Sequence, residues 1–199
     1  MKKEFDVVAL GELLIDFTSS GISDQGNQLF EANPGGAPCN VLAMLQKLGR
    51  KTAFIGKVGK DQFGVLLAGT LRGLGIDTRN LMTDPVCNTT LAFVHTAPDG
   101  DRSFSFYRKP GADMMLNEDD IGEDLFRNAR LFHFGTLSMT HEGVREATKK
   151  AVALAQKNHL TISFDPNLRP PLWDSLDEAK EQMQYGISVC GIRKISDDE

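Results

Sequence analysis

Between residues 5 and 10 the chain reads Phe-Asp-Val-Val-Ala-Leu and then breaks at Gly11, an apolar run of strand length. Leu29–Ala32 is a shorter strand candidate. The period then changes. From Ala37 to Leu48 the apolar positions Val41, Met44, Leu45 and Leu48 recur at helical spacing, and Gly49 supplies a stop. Thr52–Gly56 returns to strand character, and Asp61 is placed to cap a helix that runs through Leu74 and closes at Gly75. Two β-rich runs, Thr89–Val94 and Ser103–Tyr107, flank the turn sequence Ala97-Pro-Asp-Gly-Asp101 and predict a hairpin. Beyond it the pattern predicts a helix near 118–128, a strand over 130–134 and a long helix over 140–157. In that helix Val144, Ala147, Ala151 and Leu154 form one apolar stripe. A strand over 160–164, a helix over 174–189 and a short strand over 192–195 complete the series.

Strands alternating with helices predict βαβ units, hence an α/β fold with a parallel sheet covered by helices on both faces. The segments near 17–32 and 88–109 break that alternation and read as β insertions that leave the main sheet. A length of 199 residues is that of one domain, taken over 1–199. No internal repeat or low-complexity segment interrupts it.

Composition narrows the function classes. The net charge is −5 with both signs scattered, which argues against nucleic acid or an anionic membrane as partner. Cys39, Cys87 and Cys190 are odd in number and far apart, so they form neither a disulfide framework nor a zinc site; a reducing cytoplasm is the expected compartment. The N-terminal residues lack the apolar core of a signal peptide, and no stretch has the length and apolarity of a membrane span.

The candidate chemistry gathers where strands end, the usual place for ligands in open α/β sheets. Gly11-Glu12-Leu-Leu-Ile-Asp16 sets a carboxylate after the first strand; alone, Asp16 would be a turn or cap residue, but a carboxylate also accepts two hydroxyl hydrogen bonds and so suits a polyol. Gly35 and Gly36 lack a Cβ and let backbone approach a ligand, and Asn40 follows in the first turns of the next helix, its amide able both to donate and to accept. A lone Gly-Gly is only a flexible loop; the strength lies in its company with Asn40, Gly49, Gly59, Asp61 and Gly64. Phe106 and Arg108 alternate in phase along one strand, so Arg108 could reach a sugar hydroxyl or a phosphate; the plainer reading is a solvated arginine beside a core phenylalanine. Asp165-Pro-Asn167-Leu-Arg169-Pro-Pro is a proline-stiffened loop presenting an amide and a guanidinium, the latter suited to phosphate. His95, His133, His141 and His159 lack metal-ligand spacing, and no metal site is expected; His133, between phenylalanines, reads as core or cleft wall.

The run Asn33-Pro-Gly35-Gly36-Ala-Pro-Cys-Asn40, with Gly56-Lys-Val-Gly59-Lys-Asp61-Gln-Phe-Gly64 downstream, resembles the N-terminal signature of the ribokinase-like (PfkB) family of sugar kinases. Tyr107-Arg108-Lys-Pro-Gly-Ala-Asp113 and Asp165-Pro-Asn167-Leu-Arg169 are similar to the fructokinase branch. The resemblance implies a ribokinase-like three-layer sandwich with a small β lid built from the two insertions. It also implies ATP-dependent phosphorylation of a ketohexose, fructose at its 6-hydroxyl. Asp16, Gly35, Gly36, Asn40, Phe106, Arg108 and Asn167 would hold the sugar, and Arg169 would stabilise charge on the transferred group. Mg²⁺ would bridge the nucleotide phosphates, and Ser196-Asp-Asp-Glu199 would match an acidic motif that helps hold magnesium and phosphate.

The family's second signature, a Gly-Ala-Gly-Asp turn carrying the catalytic base and a backbone anion hole, does not occur in these 199 residues. The expectation is a fold whose C-terminal part is missing and a polypeptide with negligible turnover by itself. Two alternatives stand beside it: a non-catalytic sugar-binding or dimerising module, and one half of a split kinase. Self-association through the β lid or an exposed sheet edge is expected.

Overall fold

The computed structural model describes residues 3–96 and 102–196. The first strand, β1 (Phe5–Leu10), lies at the heart of a six-stranded parallel sheet. On one side it pairs with β4 (Thr52–Gly59), which in turn pairs with β5 (Asp77–Asp84). On the other side it pairs with β8 (Ala129–Gly135), followed by β9 (Thr161–Asp165) and β10 (Ile192–Arg193). The strand order is therefore β10-β9-β8-β1-β4-β5.

Alternation along these strands builds two cores. Val8 and Leu10 of β1, Phe132 and Phe134 of β8 and Phe164 of β9 pack with Val144, Ala147, Ala151 and Ala155 of the helix α4 (Glu142–Lys157) and Ala179 of α5 (Leu176–Val189). Val7 and Ala9 of β1, with Phe54 and Val58 of β4, face the other way. They pack on Cys39 and Leu42 of α1 (Ala37–Lys47) and Leu67 and Leu71 of α2 (Gln62–Gly73). Every β1 side chain from Val7 onward is buried, because each face has its own helical cover. No helix among the described residues is long and apolar enough to cross a membrane.

A second, four-stranded sheet stands beside the first. Its order is β3-β2-β6-β7, from β2 (Leu14–Ile22), β3 (Gln28–Gly35), β6 (Leu91–Thr96) and β7 (Arg102–Tyr107). The β2–β3 and β6–β7 pairs are antiparallel hairpins, joined by a parallel β2–β6 contact in which Asp16 lies opposite Ala92. The chain passes from one sheet to the other within three residues, between Leu10 and Leu14.

Four elements differ from expectation. α1 forms where the period places it but turns another face inward: Val41, Met44 and Leu48 are exposed, and Pro38, Cys39 and Leu42 are buried. β5 has no apolar run to announce it: Asp77-Thr-Arg-Asn-Leu-Met-Thr-Asp84 is an edge strand, with Leu81 and Met82 as its packing residues. The helix expected near 118–128 is instead a 3₁₀ turn over Glu118–Asp120 and a four-residue helix, α3 (Asp124–Arg127). Asn117 and Asp120 close a reciprocal capping box on the first piece, and Gly122 falls between the two. The last strand shrinks to two residues.

Candidate functional site

The short passage from β1 to β2 turns out of the main sheet and delivers Asp16 to the seam between the two sheets. A cleft of about 590 Å³ opens there. Its second-sheet wall follows from strand alternation: Asp16 and Thr18 of β2, Asn33 of β3, Val94 of β6, and Phe104 and Phe106 of β7 all line it. The opposite face of that sheet carries an aromatic cluster in which Phe17 stacks on Phe93 at 4.9 Å, and Phe30 and Tyr107 meet Phe93 edge-on. The main-sheet side contributes Glu12, Gly36, Ala37 and Asn40 around the start of α1, Leu137 after β8, and Asn167 and Arg169 after β9.

Each polar group has a local reason for its place. Asn167 has φ +43°, a left-handed conformation that asparagine tolerates, and its N–H donates to Asp165 Oδ1 at 3.2 Å. Arg169 donates from Nη1 to the Leu168 carbonyl at 2.9 Å, and its guanidinium lies 5.6 Å from the Phe104 ring centroid, so it bridges the two sheets across the cleft. Asp16 is half-buried; burial pushes its carboxyl above the ordinary value, and the Arg169 charge opposes that rise. Asn33 Nδ2 donates to Thr18 Oγ1 at 2.9 Å, tying β3 to β2 beside Asp16.

The two glycines differ in role. Gly35 does not line the cleft; a Cβ there would strike the Asp16 carboxylate, so the residue keeps room for that side chain. Gly36 does line it, at φ +119°, with its backbone against the Glu12 carbonyl. Gly59, Asp61 and Gly64 form a structural staple. Asp61 caps α2 through Gly64 N–H at 2.8 Å and accepts from the Thr89 N–H and hydroxyl at 2.7 and 2.8 Å. Burial pushes the Asp61 carboxyl up, but these hydrogen bonds together outweigh it and hold the group below its ordinary value.

The expectation for Arg108 is corrected. It is buried and outside the cleft lining. Nε donates to Asp113 Oδ2 at 2.8 Å, Nη1 to Thr140 Oγ1 at 2.8 Å and Nη2 to the Leu137 carbonyl at 2.9 Å, while Asp113 also accepts from Thr90 at 2.5 Å. The guanidinium thus fastens the end of β7 to the segment after β8, behind the cleft wall at Leu137. β7 ends at Tyr107, so the alternation that would align Arg108 with Phe106 does not reach it. Glu199 lies outside the described residues. His133 is a buried wall of β8, hydrogen-bonded through Nδ1 to Ser163 Oγ at 3.1 Å; burial lowers its pKa against the pull of Asp165.

Asp16, Gly36, Asn40, Phe106, Asn167 and Arg169 therefore meet in one cleft, and Gly35 and Arg108 do not. Sequence reasoning missed Glu12, Thr18, Asn33 and Phe104. Asn33 and Thr18 carried a signal only through the β2–β3 register, which sets Asp16 opposite Asn33. Glu12 was visible as a second carboxylate at the same strand end.

The profile of the pfkB family carbohydrate kinases matches residues 4–199. The chain belongs to that family. It is 44% identical over 195 residues to probable fructokinase-2 of Arabidopsis thaliana, an alignment that covers 97% of this chain and 59% of the relative. The fold is similar to that of a solved fructokinase of Xylella fastidiosa, with TM-score 0.91 and 32% identity over 97% of this chain and 60% of that one. A structure of the Xylella fastidiosa fructokinase with bound ATP gives TM-score 0.89 and 33% identity over 97% and 58%. The two sheets and their helical layers are thus those of the ribokinase-like fold. The chain spans about 59% of the length of the curated relative it matches.

Proposed function

We propose that this chain supplies the sugar-binding cleft of an ATP-dependent fructokinase that phosphorylates fructose at its 6-hydroxyl. The observation that carries the reading is the convergence of Asp16, Asn33, Asn40 and Asn167, from four separate segments, on one cleft between the sheets. Their charge suits a neutral polyol. Asp16 accepts hydroxyl hydrogen bonds, three carboxamides donate and accept, and the Arg169 cation balances the half-buried Asp16 carboxylate. Phe104 and Phe106 offer flat apolar surface from the second sheet, which acts as a lid over the sugar.

ATP with Mg²⁺, when bound, supplies the phosphoryl group. Arg169 stands at the cleft as the side chain able to stabilise charge on it. Among the described residues no group of three or more His, Cys, Asp or Glu could hold a metal ion, and no step is assigned to Mg²⁺. The general base and backbone anion hole of the family's second signature would come from residues outside this sequence, and the 199-residue polypeptide alone is expected to bind fructose with negligible turnover. The free cysteines Cys39, Cys87 and Cys190 fit a reducing compartment such as the cytoplasm.

Titration calorimetry with fructose tests the cleft. Heats of binding are expected from the wild-type chain and their loss from Asp16→Ala. Equal heats from both proteins, or none from either, would overturn the assignment.

A second reading, self-association, rests on the aromatic outer face of the lid, where Tyr107 is 66% and Phe30 43% exposed.

A further inference from the structure

The first turn of α1 forms one wall of the cleft, through Gly36, Ala37 and Asn40. This helix start has no cap of its own. Gly36 occupies the N-cap, a proline follows in the first turn, and that turn contains no acidic residue. The missing acceptor arrives from far back in the chain: Glu12 Oε1 accepts the Ala37 N–H at 2.7 Å. The Glu12 backbone is held as well, since the left-handed Gly36 packs directly on its carbonyl. Glu12 also lines the cleft itself, although only 4% of it is exposed.

We propose that Glu12 is a positioning residue of the sugar site: its carboxylate fixes the start of α1, and through it holds the Gly36 backbone and the Asn40 side chain in the cleft that Asp16 also lines. The sugar part of this statement rests on the function proposed above; the positioning part does not.

A carboxylate at a helix N-terminus is a stronger acceptor than a carboxylic acid and complements the helix dipole. The cleft wall should therefore be best held when Glu12 is ionised. Burial opposes ionisation and pushes the group from 4.5 to about 7, against the backbone N–H donors of Glu12 and Ala37. The charged groups that face it are Asp113, which opposes ionisation, and Arg108, which favours it; the Cys39 thiol of α1 is the other titratable neighbour. Sugar affinity should thus rise with pH. With a midpoint near 7, the ionised fraction grows about tenfold between pH 6 and 8, which bounds the gain.

Two measurements test this. The first needs no sugar: ¹H–¹⁵N spectra of the whole chain between pH 5.5 and 8.5. The Gly36, Ala37 and Asn40 amides should move with one shared midpoint near 7 and stay in place in Glu12→Gln. A flat Ala37 amide in the wild type, or the same titration in Glu12→Gln, overturns the proposal. Should Glu12→Gln not fold, Glu12→Asp replaces it. The shorter side chain must shift the midpoint, and an unchanged midpoint overturns the proposal. The second is fructose calorimetry at pH 6 and 8. Wild-type affinity should increase severalfold, and that of Glu12→Gln should be equal at both values. Identical pH profiles in the two proteins overturn the link to the sugar. If the wild type takes up no fructose at either pH, the proposed function fails, and the amide titration still decides the role of Glu12.

Discussion

Of the two charged residues expected to hold the sugar, Asp16 lines the cleft and Arg108 does not. Asp16 is at the start of β2, where alternation points it into the cleft, and Gly35 leaves space for its carboxylate. Arg108 is one residue past the end of β7, and its side chain turns inward to a buried aspartate. Period-two reasoning is sound along a strand and fails where the strand stops, which is why Asp16 and Phe106 were legible as cleft residues and Arg108 was misplaced; Asn167 and Arg169, past the end of β9, were legible only through their loop. The two roles make opposite demands on a mutation. A ligand arginine could be removed with the fold intact and only sugar binding lost. Removing Arg108 instead leaves Asp113 buried and uncompensated, and losing one partner of a buried ion pair costs about 3–5 kcal/mol. Arg108→Ala is therefore expected to unfold at far lower denaturant concentration than the wild type. An unchanged urea midpoint with abolished fructose binding would return Arg108 to the ligand set.

At the scale of elements, strongly patterned segments were legible and weakly patterned ones were not. β1 is covered on both faces and reads as an unbroken apolar run, while α2 and α4 each bury one face and carry its period; α1 was legible as a helix, but its buried face is Pro38, Cys39 and Leu42 and not the Val41, Met44 and Leu48 of the apolar period. β5 escaped because an edge strand needs little apolar surface, and the 118–128 region because a capping box and Gly122 divide what reads as one helix. Asp61 was legible as a cap, but its second task was not. The same carboxylate holds Thr89, just ahead of β6, so one side chain joins the main layer to the second sheet. Losing an N-cap typically costs about 1 kcal/mol, and the two Thr89 hydrogen bonds add to this at about 1 kcal/mol each. Asp61→Ala should thus cost about 3 kcal/mol in chemical denaturation. It should also speed amide hydrogen exchange at the start of β6, an effect that a plain helix cap would not produce. Unchanged exchange at Thr89–Leu91 would confine Asp61 to capping α2.

For the whole molecule, the question is what the outer face of the second sheet meets. Its inner face is occupied by the cleft. On the outer face Phe17 packs under Phe63 of α2, but Phe30 and Tyr107 reach past Phe93 toward solvent. Exposed aromatic side chains grouped on one face favour association, and the outermost strands of that sheet, β3 and β7, each have one edge with no strand partner among the described residues. A second copy of the chain offers the same aromatic groups and the same edges, so the expected state is a self-associated one. β10, at the margin of the described main sheet, is a competing contact, with Ile192 and Ile195 partly exposed. It is the weaker candidate because two paired residues present far less edge than the six of β7. Light scattering at high micromolar concentration should show more than a monomer. Tyr107→Lys should shift that distribution toward monomer, since a charge would then be buried among aromatic rings, whereas Ile195→Lys should leave it unchanged. The reverse outcome would move the contact to the main-sheet edge, and a monodisperse wild-type monomer would remove the self-association reading altogether.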